Sequence, residues 1–145
     1  MVVLYFLFTS AVLFYLTSLT PIAEDCSSCN YYECAEKKLQ CGPLGYPIGF
    51  GRRFCLYYKQ PELTANFTTK GFDSFSCIRE CLIEETKKLV DSATTLPYNA
   101  EECDEFNRTQ YVKVHPVCYK ICDFCNLALN DIGEALYSYL AEMFC

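Results

Sequence analysis

From Phe72 onward the apolar positions Phe75, Ile78, Leu82 and Leu89 recur at spacings of three, four and seven, which marks one face of an amphipathic helix. Cys77 and Cys81 lie one turn apart on the same segment. Bonding along a single helical turn is geometrically poor, so each is expected to tie this helix to another element. Upstream, Asn30 suits a helix N-cap, and Glu33 three residues later completes a capping-box pattern. Tyr31, Cys34, Ala35 and Leu39 then follow one face until Gly42-Pro43 stops the helix. Glycine or proline recurs at nearly every second position from Gly42 to Gly51, which predicts a turn-rich loop. Arg53 to Gln60 reads as a short helix ended by Pro61. Asn99 with Glu102 repeats the capping pattern and starts a helix through Cys103, Phe106 and Tyr111, which Pro116 is expected to break. Val117 to Cys125 has room for a further helical turn. A last helix runs from Asn130 through Ile132, Leu136, Leu140 and Met143. No segment alternates with the period of two that a strand requires. The pattern predicts an all-α protein: a small disulfide-stapled bundle of about five helices with a glycine-rich loop.

The run Met1 to Thr20 contains no charged side chain and is dominated by Val, Leu, Phe and Tyr. Small residues and a proline follow, and Glu24-Asp25 then opens a different composition. Residues 1–23 are therefore read as a signal peptide, cleaved near Ser18 to Ala23, and 24–145 as a single cysteine-rich helical domain. An uncleaved anchor is the alternative, since the leading residues lack Lys or Arg. No later segment is long and apolar enough to span a bilayer, so no stable membrane insertion is expected after signal cleavage.

All twelve cysteines follow that segment: Cys26, Cys29, Cys34, Cys41, Cys55, Cys77, Cys81, Cys103, Cys118, Cys122, Cys125 and Cys145. An even count at this density in an oxidising compartment reads as a disulfide framework, with its connectivity left open. Cys26-Ser-Ser-Cys29 and Cys122-Asp-Phe-Cys125 also match zinc-ligand or redox C-x-x-C pairs. Their wide separation and the secretory context favour disulfides. A net charge of -6 argues against nucleic acid or an anionic membrane as partner. One histidine, His115, excludes His-rich metal sites, and no metal or cofactor motif is read.

The run Cys41-Gly-Pro-Leu-Gly-Tyr-Pro-Ile-Gly-Phe-Gly-Arg-Arg-Phe-Cys55 resembles a loop of the form CG-x-x-GYP-x-GYG-x-x-YC. That loop is found in a group of secreted, largely uncharacterised invertebrate proteins. Phe67, Gly71, Phe75, Cys81 and Leu82 fill the next places of the pattern, and Tyr111 with His115-Pro-Val-Cys-Tyr119 matches its later part. The group is distantly similar to stanniocalcins, cysteine-rich helical hormones, through the spacing around Gly71 to Leu82. Cys26, Cys29, Cys122 and Cys125 are additions to the pattern. The resemblance implies an extracellular helical domain and brings no activity with it.

Other motifs point to sharper chemistry. His115-Pro-Val-Cys118-Tyr119-Lys-Ile-Cys122 resembles the H-D-x-C-Y-x-x-C helix of secreted phospholipase A2, where the aspartate holds calcium. Pro116 stands in that place, so the base lacks its metal ligand. His115 is instead expected to end a helix, protonated against the C-terminal dipole. Gly51-Arg52-Arg53 has the form of a hormone-precursor cleavage and amidation signal, and Lys37-Lys38 and Lys87-Lys88 are further dibasic pairs. Their plain reading is solvated charge. Glu101, Glu102, Asp104 and Glu105 crowd a helix start, which suits its positive end better than calcium. The pairs Tyr31-Tyr32, Tyr57-Tyr58 and Tyr137/Tyr139 are expected to divide, half in the core and half facing a partner. Asn66-Phe-Thr68 and Asn107-Arg-Thr109 are N-glycosylation sequons, Asn66 in a polar loop and Asn107 towards the buried side of its helix. The expectation is a secreted, non-enzymatic binding protein, hormone-like or venom-like, whose partner is an extracellular protein or receptor. A processed precursor cut at Arg52-Arg53 and a degenerate phospholipase-like protein are the alternatives.

Overall fold

The structure is a computed structural model that describes residues 24–145. The segment 1–23, with its signal-peptide reading, lies outside the described residues, as do the side chains of residues 134, 135, 138 and 139. Helices make up the fold, and no strand occurs among the described residues. A 3-10 turn, Ser28–Asn30, leads into α1 (Tyr31–Leu39). A π-helical segment, Tyr46–Arg52, runs directly into α2 (Arg53–Tyr57). A single turn, α3 (Pro61–Thr64), precedes the long α4 (Thr69–Asp91). Then come α5 (Ala100–Thr109), a π segment (Gln110–Val114) and α6 (His115–Ile121), which together form one rod. After a 3-10 turn, Phe124–Asn126, the chain closes with α7 (Leu129–Ile132) and α8 (Glu134–Phe144).

The 23 residues of α4 make a helix about 35 Å long, enough to cross the whole domain. It therefore contributes to two cores. Val90, near its C-terminus, packs with Tyr32, Ala35, Leu39, Tyr46 and Phe106. Phe75 and Ile78, near its N-terminus, pack with Tyr119, Phe124, Leu127, Ile132 and Leu140. The rod from Ala100 to Ile121 returns beside α4, and two disulfides fix them antiparallel. Cys77 pairs with Cys122 and Cys81 with Cys118, so one turn forward on α4 matches one turn back on the rod. As expected, Cys77 and Cys81 do not bond each other, and each ties α4 to another element. Between the staples and the core around Val90, Gln110 Nε2 donates to Thr86 Oγ1 at 3.1 Å, and that hydroxyl donates to the Leu82 carbonyl at 2.6 Å. Both side chains are buried, so the two bonds satisfy Gln110 Nε2 and the Thr86 hydroxyl, whose isolation in the core would be costly.

The remaining bridges fasten the periphery. Cys26–Cys34 folds the N-terminal strap onto α1, and Cys29–Cys55 joins the first turn to α2. Cys41–Cys103 ties the segment after α1 to α5, and Cys125–Cys145 holds the end of α8. Every cysteine is consumed.

Four local expectations are corrected. Asn30 does not cap α1: it lies in αR geometry at the end of the 3-10 turn, and its amide donates to Asp25. Capping requires an extended backbone at that position. The stretch Gly42 to Gly51 is a loop only in its first part, because residues from Tyr46 are helical; Gly51 serves close packing there, not turning. Pro116 does not break the rod. It sits in the first turn of α6, where its missing N–H costs least, and the wide π turn before it accommodates the ring. The last helix is two, because Gly133 adopts φ +89° between α7 and α8. By contrast, the capping box at Asn99 and Glu102 forms as expected.

Candidate functional site

The centre of the domain is a ring cage around the single histidine. Tyr111, His115 and Tyr119 follow one another at intervals of four, so the rod presents all three on one side. Tyr111 and Tyr119 stack on the imidazole at 5.6 and 6.3 Å between centroids. Tyr46 and Phe50, from the first π segment, meet it edge-on at 5.8 and 5.4 Å. Phe144, from the last turn of α8, stacks on it at 5.2 Å. The first π segment is held in place by the Tyr46 N–H, which donates to Asn107 Oδ1 at 2.8 Å. Gly51 allows it to approach α1, since a Cβ there would lie 2.5 Å from the Tyr32 ring.

His115 is 1% exposed. Its Nδ1 lies 2.8 Å from the Gln110 carbonyl oxygen. A carbonyl only accepts, so the ring proton sits on Nδ1 and Nε2 is an acceptor. Nε2 is buried and has no hydrogen-bond partner among the described residues. A cavity of about 40 Å3 adjoins the ring, walled mainly by aromatic and aliphatic side chains from α2, α4 and α8.

Burial pulls the His115 imidazole below its ordinary value of 6.5, against the weaker opposing effect of the Gln110 carbonyl. This corrects the expectation of a protonated ring at a helix end: the ring starts α6 and is neutral because it is enclosed. In the unfolded chain the imidazole takes up a proton below about pH 6.5. The unfolded state then binds more protons than the native state, so stability falls as pH drops through that point. The carboxylates of Glu102, Glu105 and Asp131 are held low by hydrogen bonds from Asn99, Arg108 and Thr68 respectively. Their contribution has the same sign but is lost only at more acidic pH. Thermal midpoints measured against pH should therefore decline from about pH 6.5 downward, before the carboxylate range, and His115→Phe should flatten that upper limb. An unchanged limb would contradict the buried, neutral histidine. At the alkaline end, burial pushes Tyr31 and Tyr32 up to about 12 and Tyr46 well above its ordinary value.

Both C-x-x-C pairs are split between different disulfides, and the closest metal-like grouping among the described residues, Glu24 with Cys26 and Cys34, contains a bridge instead of two thiolates. Of the acidic run, Glu102 accepts from Asn99 N–H in the capping box and Glu105 pairs with Arg108, so these two carboxylates are spent locally. Arg52 pairs with Glu33 at 2.7 Å, while Gly51 is buried, so the Gly51-Arg52-Arg53 motif is part of a packed helix. Lys37 and Lys38 pair with Glu24 and Asp91, and Lys88 with Glu85. Asn66 is exposed before α4. Asn107 is half-buried, with its oxygen engaged by Tyr46. Tyr57 and Tyr58 divide as expected, with Tyr57 outward and Tyr58 against Phe75. Tyr31 and Tyr32 do not divide; both are buried, because α1 is covered on one side by the π segment and on another by α4. Tyr137 stacks on Phe124, and the Tyr139 side chain lies outside the described set.

A second feature is on the surface. Val117 and Ile121, one turn apart on α6, are 49% and 69% exposed beside the Cys81–Cys118 and Cys77–Cys122 bridges. Ile121 borders an open groove of about 630 Å3 that also includes Lys70, Asp73, Asp123 and Leu127. The bridges hold both walls, so an apolar stripe flanked by both signs of charge is presented on rigid backbone.

Neither the cage nor the π turns were read from the sequence, yet a signal exists for both. Tyr46, Phe50, Phe54 and Tyr58 recur every fourth residue through the glycines, and Tyr111, His115 and Tyr119 do so through the proline. No protein-family model matches the chain, and no curated protein or solved structure shows significant similarity to it. Six disulfides fit an extracellular protein, and no helix among the described residues is long and apolar enough to cross a membrane.

Proposed function

We propose that this is a secreted, non-enzymatic binding protein, hormone-like or venom-like, that recognises an extracellular protein or receptor through a surface held rigid by disulfides. The observation that carries the reading is the exposed pair Val117 and Ile121 on the doubly stapled hairpin of α4 and α6. Apolar side chains beside a polar rim, fixed in place before contact, suit protein recognition because little conformational entropy is lost on association. The enclosed imidazole and the consumption of all twelve thiols support a non-enzymatic role. The resemblance of the Cys41 to Cys55 stretch to secreted invertebrate proteins points the same way.

The test is affinity capture from extracellular fluid with the folded, oxidised protein, followed by mass spectrometry and titration of the captured partner. Val117→Asp with Ile121→Asp should weaken capture by about tenfold or more, as expected for central interface residues. Leu44→Asp, on the distant and fully exposed loop, should leave it unchanged. Equal capture by all three proteins would overturn this surface. Calcium-dependent fatty-acid release that disappears in His115→Asn would overturn the non-enzymatic reading.

A further inference from the structure

The connection between α4 and α5 holds three hydroxyls and a proline in a short run, Ser92-Ala-Thr94-Thr95-Leu-Pro97. In an exported chain, serine and threonine gathered beside proline make the composition of O-glycan acceptors. Pro97 has no N–H and turns the residue before it away from helix, so neither flanking helix extends through the stretch. Thr94, Thr95, Leu96 and Pro97 are all exposed. Their backbone groups make no hydrogen bond, as donor or acceptor, among the described residues. The segment can therefore be drawn into the cleft of a modifying enzyme without loss of any backbone bond of the fold.

The three hydroxyls are not equivalent. Ser92 Oγ donates to the Leu89 carbonyl at 2.9 Å and so closes the end of α4. Thr95 Oγ1 donates to Glu102 Oε1 at 2.9 Å, which fastens it to the capping box of α5. The Thr94 hydroxyl engages nothing among the described residues, so it alone is free to react. Thr94 also borders an open groove of about 460 Å3 between the end of α4 and α5. That size falls among small-ligand sites, roughly 300–1,000 Å3. Leu89, Ala93 and Tyr98, all half-buried, give the groove apolar surface, and the exposed Glu101 adds a carboxylate. A pyranose suits this lining. The C–H groups of one sugar face would meet the negative face of the Tyr98 ring, and a sugar hydroxyl would donate to Glu101.

We propose that Thr94 carries an O-linked glycan whose first sugar, an N-acetylhexosamine, lies in this groove against Tyr98. The donor is a nucleoside-diphosphate sugar. The Thr94 oxygen attacks its anomeric carbon, the bond from that carbon to the diphosphate breaks, and the hydroxyl proton leaves with the diphosphate or to a base of the transferase. The proposal rests on the secreted reading in one respect, that the chain passes through the compartment holding such transferases. It is separate from the two N-glycosylation sequons and from the Val117 and Ile121 surface.

For the test, the full chain is expressed in cultured animal cells, and cells and medium are both collected. The protein is stripped of N-glycans, reduced, alkylated and digested with trypsin. The peptide from Leu89 to Arg108 should carry the added mass of an N-acetylhexosamine, and electron-transfer fragments should place it on Thr94. Thr94→Val should remove that mass completely. Thr95→Val, which gives up only the bond to Glu102, should keep it. In the intact glycosylated protein, the N-acetyl methyl should show nuclear Overhauser contacts to the Tyr98 ring. An unmodified peptide from protein in the medium would overturn the proposal and leave the secreted reading standing. Protein that never reaches the medium and bears no sugar would overturn both. A sugar that persists on this peptide in Thr94→Val, or a first sugar of another class, would overturn the assignment to Thr94 or to N-acetylhexosamine. A modified Thr94 without contacts to Tyr98 would overturn the seat in the groove.

Discussion

Replacing Cys41 and Cys103 together with alanine should lower the unfolding free energy by about 4 kcal/mol, the largest loss expected from any single bridge. The pair spans a sequence separation of 62, the widest of the six. In the chain-entropy account, a cross-link stabilises by restricting the unfolded chain, and the restriction grows with the logarithm of the closed loop. The same estimate for Cys26–Cys34, separated by 8, is about 2.5 kcal/mol. The native fold should survive the larger loss. Beside the bridge, the Tyr98 N–H donates to the Leu39 carbonyl at 2.9 Å, and the Tyr46 N–H donates to Asn107 at 2.8 Å. Both continue to link the α1 region to the rod. Urea titration of the two double variants checks the difference. A smaller loss from Cys41→Ala with Cys103→Ala than from Cys26→Ala with Cys34→Ala would contradict the entropic assignment.

Gly71→Ala should cost about 3 kcal/mol, even though alanine is the better helix former. Gly71 lies in the first turn of α4, directly under α7. A Cβ on it would stand 2.2 Å from the Asp131 carbonyl oxygen and 2.8 Å from Ile132 Cγ2. The nearer atom is backbone, so no rotamer change relieves the contact. The α7 turn would have to withdraw, and with it the bonds that dock it. These are Thr68 N–H to the Asp131 carbonyl at 3.0 Å and Thr68 Oγ1 to Asp131 Oδ1 at 2.7 Å. Ile132, which packs in the core around Phe75 and Ile78, would move as well. The urea midpoint should fall without change of slope. An unchanged or higher midpoint would show that α4 and α7 are not in contact at this glycine.

These two positions show how far the sequence carries. Helix α4 was legible because Phe75, Ile78 and Leu82 keep one period, and α5 because its capping box is local. That Cys77 and Cys81 tie α4 to another element instead of to each other followed from the geometry of one helical turn. What was missed depends on neighbours distant in the chain. Gly51 reads as a turn residue, but it is glycine because the Tyr32 ring occupies the space of a Cβ. Pro116 reads as a helix breaker, but a π turn in front of it lets the rod continue. His115 reads as an exposed helix end, or as a damaged catalytic base, until the rings of Tyr46, Phe50 and Phe144 are brought around it by three other segments. The surface pair Val117 and Ile121 was invisible for the same reason: only the staples reveal which side of α6 faces outward.

The architecture rests on the six bridges. They fix the antiparallel hairpin, present its apolar stripe and close the cage. Proteolysis of the unreduced protein, with the linked peptides identified by mass spectrometry, tests them together. The expected pairs are Cys26–Cys34, Cys29–Cys55, Cys41–Cys103, Cys77–Cys122, Cys81–Cys118 and Cys125–Cys145, with no free thiol. Bound zinc, free thiols, or Cys77 and Cys81 joined to partners outside the α6 rod would contradict it.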